Sequence, residues 1–185
     1  TEKLIRQREK NFSIENIPID DAKTYKFISS GQTEGVFQLE SAGMRQVLTR
    51  LQPETIDDII ACIALYRPGP MDSIPTYIER RHNKSKISYK TPLLEPILSS
   101  TYGCIVYQEQ VMQIFSKIAG YSYGRADIVR RAMSKKKEEE MKKEHDVFIS
   151  GAISNGVDEK TASELFEEME SFAKYAFNKS HAAAY

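Results

Sequence analysis

Apolar positions return every three or four residues along most of this chain, and glycine or proline interrupts them at intervals, which predicts a mainly α fold. Tyr25, Phe27 and Ile28 form the apolar side of a first amphipathic helix, with Asp20 or Asp21 as its cap and Gly31 as its stop. Behind Ser41, Met44, Val47, Leu48 and Leu51 fall at helical spacing, Arg45 and Arg50 are left for the surface, and Pro53 ends the pattern. Thr55 and Asp58 have the spacing of a capping box ahead of a strongly apolar helix over 56–66, expected to be central to the core. Residues 91–98 give a short helical element, and a helix over 109–119 carries Val111, Met112, Phe115, Ile118 and Ala119 up to Gly120. Met141, Val147, Phe148 and Ile149 make a weak stripe with Gly151 as a candidate interruption, and Asp158 caps a last long helix through Leu165, Phe166, Met169 and Phe172.

Two segments break the helical pattern. Cys104 to Tyr107 is β-branched and aromatic and is the best strand candidate, while GVFQL at 35–39 reads as a short strand or an extended link. The fold class is therefore mainly α with one or two short β-strands. Residues 1–13 are polar, with Leu4 and Ile5 as an apolar pair, and read as the end of a connecting helix; the domain proper runs over 14–185. A start on Thr1 and a stop at Tyr185, just after Ser180 has offered an N-cap to HAAAY, lead to the expectation of a piece of a longer protein.

Charge changes the picture at one place. The 185 residues balance to a net charge of zero, yet RADIVRRAMSKKK at 125–137 holds six cations and one acid. On a helix, Ile128, Val129, Ala132 and Met133 share one arc and Arg130, Arg131, Ser134, Lys135 and Lys137 the opposite one, with Lys136 on the apolar side. Forked guanidinium donors and mobile ammonium groups suit phosphates, although a charge run is by default a solvated face. A second basic run, Arg80, Arg81, His82, Lys84 and Lys86, reads as such an exposed loop. Arg67 precedes Pro68-Gly69-Pro70, a stiff turn that aims its side chain or simply terminates a helix. Cys62 and Cys104 lie among apolar neighbours and read as buried reduced thiols, which fits a cytoplasmic home. No apolar run reaches membrane-spanning length.

Candidate catalytic chemistry is sparse. Asp20-Asp21 and Asp57-Asp58 sit at helix starts as caps, Glu138 to Glu140 belong to a charged run, and His82, His145 and His181 are far apart, so no metal site is expected on this chain. The last turn differs. Asn178, Lys179, Ser180 and His181 place an amide, a cation, a hydroxyl and an imidazole at a helix start, flanked by Tyr175 and Tyr185, which makes either an anion-binding turn or an ordinary Ser-capped helix.

GVFQLES, ALYRPGPM, TYGCIVYQEQVMQI, ADIVRRAMSKKK and FNKSHAAAY, in this order over residues 14–185, resemble the C-family replicative polymerases, the bacterial DNA polymerase III alpha subunits, in their shorter form without a built-in proofreading domain. The resemblance implies a helical fingers domain of a DNA-directed DNA polymerase, with Mg²⁺ held by palm aspartates preceding Thr1, so that this piece alone is inactive. It implies that Arg130 and Arg131 face the triphosphate of the incoming dNTP, that Tyr175, Asn178, Lys179 and His181 complete the pocket, and that Arg67, Lys135 and Lys137 are weaker phosphate or DNA contacts. Implied partners are primer-template DNA, dNTP, the palm of the same chain, the sliding clamp and other replisome subunits, in a cytoplasmic, nucleoid-associated setting without a membrane. The alternative is a stand-alone helical nucleic-acid-binding module whose basic helix meets backbone phosphates.

Overall fold

The computed structural model describes residues 1–134, 138–173 and 175–185. In chain order the helices are α1 (Glu2–Ile5), α2 (Ala22–Ser29), α3 (Ala42–Leu51), α4 (Ile56–Leu65), α5 (Ile74–His82), α6 (Glu95–Leu98), α7 (Gln108–Ala119), α8 (Tyr123–Ser134), α9 (Glu138–Ser154), α10 (Glu159–Ala173) and α11 (Lys179–Ala184). Their starts follow the expected capping chemistry. Asp21, Ser41 and Asp158 accept hydrogen bonds from the backbone N–H groups of Thr24, Met44 and Thr161, and the Thr55–Asp58 capping box is complete. The polar start of the chain forms only the single helical turn of α1.

Burial divides the helices between two apolar clusters. The first gathers Ile28, Met44, Leu48, Leu51, most of α4, Tyr77, Tyr107 and, from the far end of the chain, Ala182. The second is built around α7, whose Val111, Ile114, Phe115 and Ile118 are fully buried among α8, α9 and α10. Phe115 is its hub, with ring contacts to Tyr121, Phe148 and Phe166 at 5.2–6.2 Å. Because α11 packs on α4 while α10 packs on α9, the chain crosses from the second cluster back to the first between residues 173 and 179. That crossing carries the candidate site.

Several local expectations change. Cys104 to Tyr107 pairs through one isolated parallel bridge, Tyr107 with Phe177, so the strand is an extended segment; among the described residues no strand forms. GVFQL is a series of turns, held by the Thr33 hydroxyl donating to the Leu39 carbonyl at 2.6 Å. Gly151 does not interrupt α9. It is where α9 closes on α7, since a Cβ there would run into the Ala119 carbonyl.

The expected basic loop at 80–86 is largely the end of α5, and Arg81 is not solvated. Its side chain is 10% exposed and pairs with Asp58, itself 1% exposed, at 3.3 Å. Asp58 also accepts from the Tyr102 hydroxyl and from the Glu54 and Thr55 amides, so this buried charge is fully partnered. Burial works against the Arg81 charge, but Asp58 and Glu54 outweigh it and raise its pKa. Cys62 and Cys104 are buried free thiols, as expected. Among the described residues no helix is long and apolar enough to cross a membrane.

Candidate functional site

Helix α8 starts at the Ser122 hydroxyl, which accepts from the Arg125 amide at 3.3 Å, and docks through Ala126, Val129 and Met133. Ile128, expected on the docked arc, is 69% exposed; the apolar stripe is rotated so that Ala126 takes its place. This rotation separates the paired arginines. Arg130 is 14% exposed and reaches Asp127 Oδ1 through Nε at 3.2 Å and a terminal nitrogen at 2.8 Å, whereas Arg131 is 68% exposed and meets Asp127 Oδ2 at 2.7 Å. One carboxylate thus bridges both guanidiniums from positions i+3 and i+4. The Arg130 hydrogen bond, aided by the charges of both arginines against some burial, holds the Asp127 carboxyl below the usual range. Lys135 and Lys137 lie outside the described residues.

The end turn is assembled from distant parts of the chain. Asn178, not Ser180, is the N-cap of α11: its Oδ1 accepts from the His181 amide at 3.0 Å. The Lys179 amide donates to the Glu109 carboxylate at 3.2 Å, so a carboxylate of this chain already occupies the start of the six-residue helix. Lys179 Nζ pairs with Asp57 at 2.9 Å and lies 5.5 Å from the Tyr107 ring. The His181 ring stands edge-on between Phe177 and Tyr185, at 5.2 and 4.6 Å, and Tyr185 meets Phe37 at 5.3 Å. Arg67 lies over Phe177 at 4.2 Å and donates to the Tyr175 carbonyl at 2.6 Å. Burial lowers its pKa.

Arg67, His181, Phe37, Phe177 and Tyr185 share a cavity of about 490 Å³. Tyr175 lines a neighbouring cavity of about 610 Å³ with Gly69, Arg80 and Cys104. Arg130, Arg131, Asn178 and Lys179 line neither, so of the six residues expected around a nucleotide only His181 stands in the aromatic cavity, beside Arg67. Phe37, Asp57, Glu109 and Asp127 touch the candidate residues, and Gln108 holds the Ala176 and Phe177 carbonyls between them, none of them a candidate by sequence. Only Asp127 had a local signal, its spacing to the two arginines; the rest depend on contacts between residues far apart in sequence. Among the described residues no group of three or more His, Cys, Asp or Glu is placed to hold a metal ion. The two carboxylates beside this turn, Glu109 and Asp57, are engaged with Lys179, and among the described residues no site fits a resident Mg²⁺.

Residues 1–156 match the family described as the bacterial DNA polymerase III alpha subunit finger domain. The DNA polymerase III subunit alpha of Staphylococcus epidermidis is 54% identical over 175 residues, and those of Halalkalibacterium halodurans and Staphylococcus aureus are 53% identical over the same length, covering 95% of this chain. The chain spans 16% of the length of each relative. With the family matched from residue 1 to residue 156, the chain belongs to the finger domains of the bacterial DNA polymerase III alpha subunits.

Proposed function

We propose that this fingers domain receives the incoming dNTP for a DNA-directed DNA polymerase and helps place it on a primer-template. The observation that carries this reading is the cavity in which the His181 edge stands among the rings of Phe37, Phe177 and Tyr185, with Arg67 packed on Phe177: aromatic faces beside a hydrogen-bonding imidazole suit a planar ligand. Both arginines pair with Asp127, and Arg131, 68% exposed against 14% for Arg130, is the one whose guanidinium faces solvent where a phosphate can join it. Charge that accumulates on a leaving pyrophosphate is stabilised by such fixed cations without covalent chemistry. Mg²⁺ belongs to a palm on the same polypeptide, and no step is assigned to it on this chain. Primer-template DNA, the palm, the sliding clamp and other replisome subunits are the partners this reading implies, in the bacterial cytoplasm.

A second reading, backbone phosphate binding by α8, draws on the position of Arg130 and Arg131 outside both cavities. Titration of the full-length alpha subunit with a fluorescent dNTP separates the two. In the dNTP reading Arg130→Ala/Arg131→Ala weakens binding while Lys142→Ala/Lys143→Ala, an equal charge change on α9, does not. Equal loss in both, or a steep salt dependence for DNA with indifference to free dNTP, supports the backbone reading.

A further inference from the structure

The turn from Tyr175 to Phe177 has no regular structure of its own, yet each of its three successive carbonyls is held from elsewhere in the chain. The Tyr175 carbonyl accepts from Arg67 at 2.6 Å, the Ala176 carbonyl from Gln108 Nε2 at 2.8 Å, and the Phe177 carbonyl from the Gln108 backbone N–H at 2.9 Å. Arg67 is itself fixed. Its Nε and a terminal nitrogen reach the Ala64 carbonyl at 3.1 and 3.0 Å, and its plane covers the Phe177 ring at 4.2 Å. The stiff turn beside it fits the same segment: Gly69 has φ +101° and leaves no room for a Cβ, which would sit 2.7 Å from the Tyr175 ring. A guanidinium engaged with two carbonyls and a ring face is poorly placed to trade them for phosphate oxygens.

We propose that Arg67 and Gln108 are positioning residues that hold the 175–177 backbone as a fixed mount for the Phe177 ring, against which His181 of α11 stands at 5.2 Å, so that the pocket is set from the RPGP turn and the start of α7. The proposal rests on the dNTP reading above. It accounts for Arg67 as a clasp rather than a phosphate ligand, and it gives a role to Gln108. Binding groups held on a segment without its own hydrogen-bond ladder lose their register when the ties to that segment go, and a displacement of ~1 Å can cost about a hundredfold in rate.

The test is steady-state kinetics of the full-length alpha subunit with dNTP varied, on Arg67→Lys, Gln108→Glu, His181→Ala and the double variant Arg67→Lys/His181→Ala, with melting temperatures alongside. Lysine keeps the charge but cannot span two carbonyls and a ring face; glutamate keeps the shape of Gln108 but loses its donor. The expected result is a rise in KM of roughly tenfold or more for each of Arg67→Lys and Gln108→Glu, exceeding any change in kcat. In the double variant the two losses do not multiply, because Arg67 acts through the Phe177 ring that His181 stands against. A normal loss in His181→Ala with unchanged KM in both Arg67→Lys and Gln108→Glu overturns the positioning while leaving the dNTP reading intact. An unchanged KM in His181→Ala overturns the pocket and this proposal with it. If Arg67→Lys fails to fold, Gln108→Glu, which leaves the backbone bond to Phe177 in place, decides alone.

Discussion

On α8, Asp127 holds Arg130 and Arg131 from three and four positions away, while in the first cluster Arg67 reaches the Tyr175 carbonyl across 108 positions and Arg81 reaches Asp58 across 23. The two kinds of tie differ in environment as well as in range. The α8 group stands at the edge of the second cluster, with Arg131 68% exposed and Asp127 26% exposed; Asp58 is 1% exposed. Arg67 and Arg81 therefore define where chain segments lie, whereas Arg130 and Arg131 adjust one helix; Arg125 of that same helix belongs with the long ties, reaching Glu144 of α9 at 3.0 Å across 19 positions. Charge density alone gives the opposite ranking, because RADIVRRAMSKKK is the most basic stretch of the sequence and the first-region arginines are scattered.

The sharpest way to break this comparison is to remove one cation from each region and measure stability by denaturant unfolding. Arg81→Ala leaves Asp58 buried without its ionic partner, a loss of about 3–5 kcal/mol, nearer the lower end because the Tyr102 hydroxyl and two amides remain. Arg130→Ala takes away a local pair at a partly exposed carboxylate, and a loss of about 0.2–1 kcal/mol is expected. Similar losses in the two variants would end the distinction.

Two glycines give a smaller and more specific contrast. Gly69→Ala forces a side chain into φ +101° against the Tyr175 ring and is expected to cost about 1–3 kcal/mol. Gly151→Ala drives a methyl group into the backbone of α7, again about 1–3 kcal/mol, of which the better helix propensity of alanine returns up to about 1. The two separate by function. On the dNTP reading proposed above, the Gly69 change is expected to move the end turn and raise KM for dNTP in the full-length subunit, whereas the Gly151 change is expected to lower stability with KM unaltered. A KM shift in Gly151→Ala would show that packing in the second cluster reaches the pocket directly.

Legibility in the sequence follows the same division. Caps at Ser41, Thr55 and Asp158, a cap at Asp20 or Asp21 that the structure resolves to Asp21, the stop at Gly120 and the apolar stripes of α3, α4, α7 and α10 are legible because each is fixed within one or two turns of helix. Ile128 was misplaced because the stripe of α8 is short and Ala126, a small residue, does the docking in its stead. The strand at Cys104 to Tyr107 had the composition of a strand, but its one bridge partner, Phe177, lies seventy positions on and offers no ladder. Arg81 was read as solvated because nothing in its own neighbourhood announces Asp58. The same blindness covers Gln108 and Glu109, whose role depends on where residues 176–179 return.

Alkaline pH offers the gentlest probe of the two regions, through groups that the fold keeps neutral. Burial, with a contribution from Asp58, pushes the Cys62 thiol up to about 12 from an ordinary value of 9.0. Burial and then Glu144, which accepts from the hydroxyl at 2.8 Å, likewise raise Tyr121 in the second region from 10.0. In both cases the folded pKa is the higher one, so above the ordinary value the unfolded chain binds fewer protons than the folded chain. Stability from the neutral thiol is complete below about pH 9 and is lost as pH climbs toward about 12; the loss from Tyr121 sets in about one unit later. Near pH 9.5 the Cys62 contribution amounts to under about 1 kcal/mol. Unfolding midpoints compared between about pH 8 and pH 9.5 are therefore expected to fall less in Cys62→Ala than in the parent, with Tyr121→Phe following the parent over that interval and departing from it only at higher pH. A Cys62→Ala curve parallel to the parent over that interval would mean that the thiol is not kept neutral by its region, and a Tyr121→Phe curve still parallel above about pH 10 would mean the same of the phenol.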